Sequence, residues 1–213
     1  MEKLTWILLF SIGGVLAEYT SLQVSNCNKN PNTPSTISHM SISPMPVTIP
    51  GNFYFSADMK LTRPVGESSM EISIKRKTYW FDIPIPCIFR VGSCRYNNLC
   101  TMVDDMITQD WAGLMGNIGN QIKTMLQANN VTYNQCPQQP RTLSIRNYLI
   151  RMPEMPSVLS WFAAGDYSAN VKVQDNISHE ELLCLDVNLS LKKACSGYRC
   201  YFGHIPHQHK SWV

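Results

Sequence analysis

The stretch Tyr79-Trp80-Phe81-Asp82-Ile83-Pro84-Ile85-Pro86-Cys87, running on to Cys94 and Cys100, decides how the rest of the chain is read. Pro84 and Pro86 lack backbone N–H donors, so the Ile-Pro-Ile-Pro run belongs to neither a helix nor a central strand. It must be a sheet edge or a loop. Cysteines spaced C-x6-C-x5-C then pin that segment. Trp80 and Phe81 lie just ahead of the pin. In a secreted chain such a pair either completes a core or is aimed at a ligand, and both readings stand at this point.

Working outward, the first 17 residues read as a signal peptide. Lys3 supplies the positive charge, Trp6 to Phe10 with Ile12, Val15 and Leu16 the apolar run, and Val15-Leu16-Ala17 a small-residue cleavage site. Gly13-Gly14 breaks the run, which is shorter than the roughly 20 apolar residues a bilayer span needs. Eight cysteines in a secreted chain predict four disulfides. Sequons at Asn130, Asn176 and Asn188 fit the same route, the last of them inside a strand pattern. A net charge of +3 is too small to point to nucleic acid and is compatible with weak attraction to an anionic membrane surface.

Short alternating segments dominate the mature chain. Asn28 to Ser38 reads as loop. Phe53, Phe55, Ala57, Met59 and Leu61 face one way, with Tyr54, Ser56, Asp58 and Lys60 opposite, the pattern of a half-buried strand. Met70, Ile72 and Ile74 repeat it, as do Leu143 and Ile145, then Tyr167, Ala169, Val171 and Val173, then Leu183 to Leu191. The segment 99–128 breaks the pattern: apolar residues recur at three and four steps, predicting one helix over about 99–108 and a looser one over about 118–126. Gly113, Gly116 and Gly119 weaken it, each by about 1 kcal/mol against alanine. Its Met-rich stripe is either core or an adaptable flap over a cavity. The whole is a mainly β, single-domain pattern over 18–193, with residues 194–213 a separate C-terminal extension.

Catalytic signatures are missing from the sequence. There is no G-x-S-x-G elbow, no H-E-x-x-H and no phosphate loop. Asp104 and Asp105 are neighbours on a helix and point about 100° apart, which does not make an acid/base pair. Cys195, Cys200, His204, His207 and His209 contain metal-ligating types, but a C-x4-C pair in an oxidising compartment is a small disulfide and the histidines a solvated tail that gains charge near pH 5–6. No metal, no cofactor and no enzymatic activity are expected.

At the cysteine spacing the sequence resembles the ganglioside-activator family, lysosomal carriers that present a glycolipid to β-hexosaminidase. The motifs agree in order: Pro44-x-Pro46 leading to Ile49-Pro50-Gly51-Asn52, Trp80 ahead of Pro86-Cys87, Gly92-Ser93-Cys94, and Leu99-Cys100 with Asp104. Leu159-Ser160-Trp161, Gly165-Asp166-Tyr167 and a last strand through Cys184 follow, so the resemblance covers about 27–193. It implies an antiparallel β-cup enclosing an apolar lipid cavity, with helix at its side. It implies the bridges Cys27–Cys184, Cys87–Cys94 and Cys100–Cys136, beside which Cys195–Cys200 remains in the extension. The segment between Cys100 and Cys136 is longer than the family pattern and lacks the cysteine pair found there.

A lipid leaving a bilayer exposes its chain at about 0.8 kcal/mol per methylene, so a carrier needs an apolar cavity and a membrane contact. The cavity wall is expected from Phe53, Phe55, Met59, Ile72, Ile74, Val171 and Val173. Trp80, Phe81, Trp161 and Phe162 are the expected membrane contacts, because tryptophan favours the bilayer interface, and the resemblance puts them at the cavity mouth with Tyr167. The expectation is a secreted or lysosomal lipid-transfer protein whose partners are a lipid or glycolipid, a membrane surface and a β-hexosaminidase-like glycosidase. The alternative is a secreted carrier of a fatty acid, sterol or pheromone without enzyme activation.

Overall fold

Alternation along the chain becomes ten strands in two sheets. A computed structural model describes residues 19–194. The signal peptide, Cys195–Cys200 and the three C-terminal histidines lie outside the described residues. The strands are β1 (Gln23–Asn26), β2 (Ser35–Ser43), β3 (Val47–Ile49), β4 (Gly51–Leu61), β5 (Ser68–Lys77), β6 (Ile83–Pro84), β7 (Arg95–Tyr96), β8 (Arg141–Met152), β9 (Gly165–Asp175) and β10 (Glu181–Lys193). Helices α1 (Leu99–Gln109) and α2 (Met115–Ala128) sit between β7 and β8. One sheet runs β1-β10-β9-β5-β6, with β3 beside β10 and β7 beside β5, and the other runs β2-β4-β8. The fold is the expected antiparallel β-cup.

Pro84 lies in a two-residue edge strand against Lys75 and Arg76, where a missing N–H costs no ladder bond. β2 starts at Ser35, inside the segment read as loop. As an edge strand paired only with β4, it needs backbone partners more than apolar side chains. In β8 an extra residue opposite Ser56, Asn147 at φ 47°, makes a bulge. That bulge keeps Leu143 and Ile145 in one inward row with Tyr148 and Ile150.

The helices fill the cup rather than lie beside it. Asn98 caps α1 by accepting from the Cys100 N–H at 2.8 Å. The glycines expected to weaken the second helix instead let it touch the first. A Cβ on Gly119 would stand 2.9 Å from Ile107 Cγ1 and 3.1 Å from Met106 Cβ, and one on Gly116 2.9 Å from Asp110 Oδ1. The Met stripe is core: Met106 and Met125 are buried. Met106 packs with Cys94, Tyr96 and Trp111. Three disulfides join Cys27–Cys184, Cys87–Cys94 and Cys100–Cys136, the pairings the resemblance implied.

Candidate functional site

The two ends of β5 lead to two different surfaces. After Lys77 the chain enters the loop of Tyr79, Trp80 and Phe81. Thr78 Oγ1 pairs with the Phe81 carbonyl and accepts from the Phe81 N–H at 3.3 Å. Lys77 pairs with Asp82 at 2.8 Å across the loop base. Trp80 is 83% exposed, and Tyr79 and Phe81 are exposed beside it.

Two further segments pack on the cluster that Ile74 of β5 joins. The Cys87–Cys94 bridge holds a turn closed by Ile88–Val91 backbone bonds, which presents Phe89 to solvent. A 3-10 turn over Ser157–Phe162 presents Val158 and Trp161. Its position is fixed by Arg76, whose Nη1 donates to the Trp161 carbonyl at 3.4 Å, and by the Trp161 Nε1–H bond to the Val158 carbonyl at 3.1 Å.

Trp161 and Phe162 do not share a role. Trp161 is 41% exposed, whereas Phe162 is 8% exposed and packs with Ile85, Leu114, Leu159 and Tyr167. The two rings nevertheless stack, with centroids 3.7 Å apart, so Trp161 lies over Phe162 as the outer cover of the buried ring. The expectation that both touch a membrane is corrected for Phe162. Tyr167 is also buried, donating to the Phe162 carbonyl at 3.0 Å. Burial pushes its phenol above the ordinary range, so it stays a neutral donor that fastens the turn.

The opposite end carries the cavity, of about 290 Å³. β2 and β4 contribute Ile37, Met59 and Leu61, and β8 contributes Leu143. β9 and β10 contribute Val173, Leu182 and Leu183, while Leu99 at the start of α1 and Leu126 near the end of α2 close the side. The register shift between Glu181 and Leu183 accompanies two consecutive leucines lining it. Along β5 the two ends are about 30 Å apart at roughly 3.3 Å per residue.

Of the expected wall, Met59 and Val173 line this cavity. Phe55 packs against Met125, Leu143 and Ile145, Ile72 against the Tyr96–Trp111 cluster, and Ile74 against the Phe162 cluster. Phe53 and Val171 sit in their strands opposite Ile150 and Leu185, away from the cavity lining. For Ile72 and Ile74 the cause is the segment 111–118, which fills the middle of the cup, and for Phe55 it is Met125 of α2. Sequence reading missed Leu99, Leu126, Val131, Leu182 and Arg141. The first two carried a signal, since both stand in the apolar helix stripe.

The sequons are spread over the cavity end and the sheet face. Asn130 is exposed after α2, Asn176 donates to the Asn97 carbonyl at 2.9 Å, and Asn188 is half-buried in β10 opposite Ser168. Among the described residues no group of three or more His, Cys, Asp or Glu side chains is arranged to hold a metal ion.

Three comparisons bear on this arrangement. Ganglioside GM2 activator from Mus musculus is 24% identical over 180 residues, covering 83% of this chain and 85% of the relative. Ganglioside GM2 activator from Macaca fascicularis is 24% identical over 185 residues, covering 83% and 86%. A solved structure of a Niemann-Pick type C2 protein from Japanese carpenter ant covers 80% of this chain and 99% of that one, at 10% identity and a TM-score of 0.39. The family model of the ML domain matches residues 21–191. With the two-sheet cup and its apolar cavity, that match over most of the chain places it: the protein belongs to the ML-domain family of lipid-binding proteins.

Proposed function

We propose that this chain is a lipid-transfer protein that touches a membrane, withdraws a lipid or glycolipid and carries it with the acyl part shielded. One observation carries the reading: Tyr79, Trp80, Phe81, Phe89, Val158 and Trp161 are all exposed, on segments that continue β5 or pack on the one cluster of Ile85, Leu159, Phe162 and Tyr167. They stand on loops fastened by a disulfide, an ion pair and backbone bonds. Six apolar or aromatic side chains held out on a soluble surface cost solvation that a bilayer interface returns. Arg76, bonded to the Trp161 carbonyl, adds positive charge suited to anionic lipid.

In this reading residues 1–17 send the chain into the secretory route, to the lysosome or outside the cell. Residues 18–193 do the carrying, the three sequons are glycosylated, and the chain is a carrier rather than an enzyme. The relatives' name supports a finer role, presentation of a glycolipid to a β-hexosaminidase-like glycosidase. The modest cavity favours the other reading, a carrier of a smaller hydrophobic ligand with no enzyme to activate.

The test is transfer of a labelled lipid between vesicles containing anionic phospholipid and ganglioside. Trp80→Ala with Phe81→Ala should slow transfer severalfold or more, since each ring contributes about tenfold to partitioning. The melting temperature should stay within a few degrees, both rings being exposed. Unchanged transfer would remove the docking role. Adding a hexosaminidase to ganglioside vesicles separates the finer readings: stimulated hydrolysis supports presentation, and its absence supports simple carriage.

A further inference from the structure

The cavity carries positive charge that the exposed aromatic loops do not explain. Arg141 opens β8 opposite Leu61, in the inward row that continues through Leu143 and Ile145. It lines the cavity, as does Lys60. No Asp or Glu is among the lining residues. The Arg141 guanidinium is held by carbonyls, donating from Nη1 to Asn130 at 3.2 Å and from Nε to Gln139 at 3.4 Å. Neither bond neutralises its charge, and among the described residues no carboxylate bridges it. A guanidinium has five N–H donors in a fixed fork, so donors remain for an anion.

Size limits the other part of the ligand. At about 290 Å³ the cavity lies at the small end of ligand sites, which run from about 300 to 1,000 Å³. That is room for one hydrocarbon chain, not for two chains with a ceramide base. Apart from the two cations, the lining is mainly apolar, with Ser35, Thr36, Ser68, Tyr133 and Gln138 as its uncharged polar side chains.

Taken with the carrier reading, on which this rests, we infer that the cavity binds a single-chain amphiphile with an anionic head. The chain lies between Met59, Leu143, Val173 and Leu183, and the carboxylate or phosphate sits on Arg141. A fatty acid and a lysophospholipid bearing a free phosphate share that chemistry. A sterol or a neutral alcohol brings no charge to the arginine.

The experiment uses the delipidated full chain and displacement of a fluorescent polyene fatty acid. Competitors are palmitate, 1-palmitoyl lysophosphatidic acid and hexadecanol. Palmitate, the lysophosphatidic acid or both should compete about tenfold better than hexadecanol, the worth of a charge-assisted bond. Whichever anion wins names the source of the head. R141Q should remove that preference and leave hexadecanol unchanged, while R141K should keep most of it. Met59→Trp, filling the cavity from a partly exposed wall position, should weaken all three.

Parity of both anions with hexadecanol, or an unchanged preference in R141Q, overturns the inference. Vesicle transfer is scored separately. Transfer of two-chain lipid with no single-chain binding sinks this inference and spares the carrier. Single-chain binding with no transfer of any lipid sinks the carrier reading and leaves the site.

Discussion

The aromatic end and the cavity end of this cup are made by the same strands, yet one is packed shut and the other is hollow. At the aromatic end the inward residues Ile74, Tyr167 and Leu191 meet Leu114, Met115, Leu159 and Phe162. The core closes there, and the remaining aromatics have nowhere to go but outward. At the cavity end the inward residues Met59, Leu143, Val173 and Leu183 face Leu99 and Leu126, at the outer ends of the two helices, and Val131 beyond them, with space left between. The helical hairpin spans one end fully and the other barely. The proposed membrane contact and the proposed chain-binding cavity thereby lie about a strand's length apart.

The largest break in that comparison comes from the disulfides. Cys27–Cys184 spans 157 residues and follows directly on the cavity leucines 182 and 183, whereas Cys87–Cys94 spans 7 and braces the aromatic end. In the chain-entropy picture the first is worth roughly 5 kcal/mol and the second about half that. Replacing both cysteines of the long bridge by alanine should lower the melting temperature by about 10 °C or more, against about half that for the short one. Calorimetry on both variants checks the order. A greater loss from the short bridge would mean that the stability of the cup resides at its aromatic end.

Next in size is the contrast inside one turn. Phe162→Ala removes a buried ring from the Leu159–Tyr167 cluster and should cost about 3–5 kcal/mol. Trp161→Ala, which strips the ring stacked over Phe162, should cost distinctly less stability and weaken vesicle binding as well. The two variants are compared by thermal melting and by vesicle co-sedimentation. If both melt alike, the turn does not divide its two rings between core and surface.

That turn also marks what the sequence discloses. Period-two alternation identifies β4, β5, β9 and β10 because a half-buried strand has no other way to sort its side chains. Prolines 84 and 86 place their segment at an edge for an equally local reason. Alternation says which row faces inward, however, and not whether another element occupies the space it faces. Ile72 and Ile74 are inward as expected, but Met106, Leu114 and Ile118 fill the room before them. Gly116 and Gly119 show the same gap. Within one helix they register as a propensity cost, and only the approach of α1 turns them into a contact. Trp161 and Phe162, adjacent in sequence, remain a stacked pair in space, and only depth, which the sequence does not show, sets the outer ring apart from the inner. Arg141 gives no local signal, since its significance lies in the apolar residues that four distant strands bring to it.

The smallest expected effect is one of pH, at the β9–β10 turn beyond the cavity end. Asp175 Oδ1 accepts from the Ile177 N–H at 2.9 Å, the Ser178 N–H at 2.7 Å and the Ser178 hydroxyl at 3.0 Å. The Ser178 backbone bond, then that of Ile177, lowers its pKa below the ordinary carboxylate value, with Arg63 adding to the effect. A carboxylate lowered on folding stabilises the native state above its unfolded pKa, and that contribution disappears as pH falls through the lowered folded value. Asp175→Asn keeps the shape and an acceptor but removes the charge. At neutral pH the variant should melt about one or two degrees lower, because an exposed charged group is well screened. On acidification below the ordinary carboxylate pKa of about 3.9 the gap should narrow, and it should close once the pH has fallen past the lowered folded value, where the wild-type carboxylate itself is protonated. Melting curves at stepped pH read this directly. A gap that stays constant or widens in acid would mean the turn is held by shape alone, and that no charge at this end of the cup contributes to its stability.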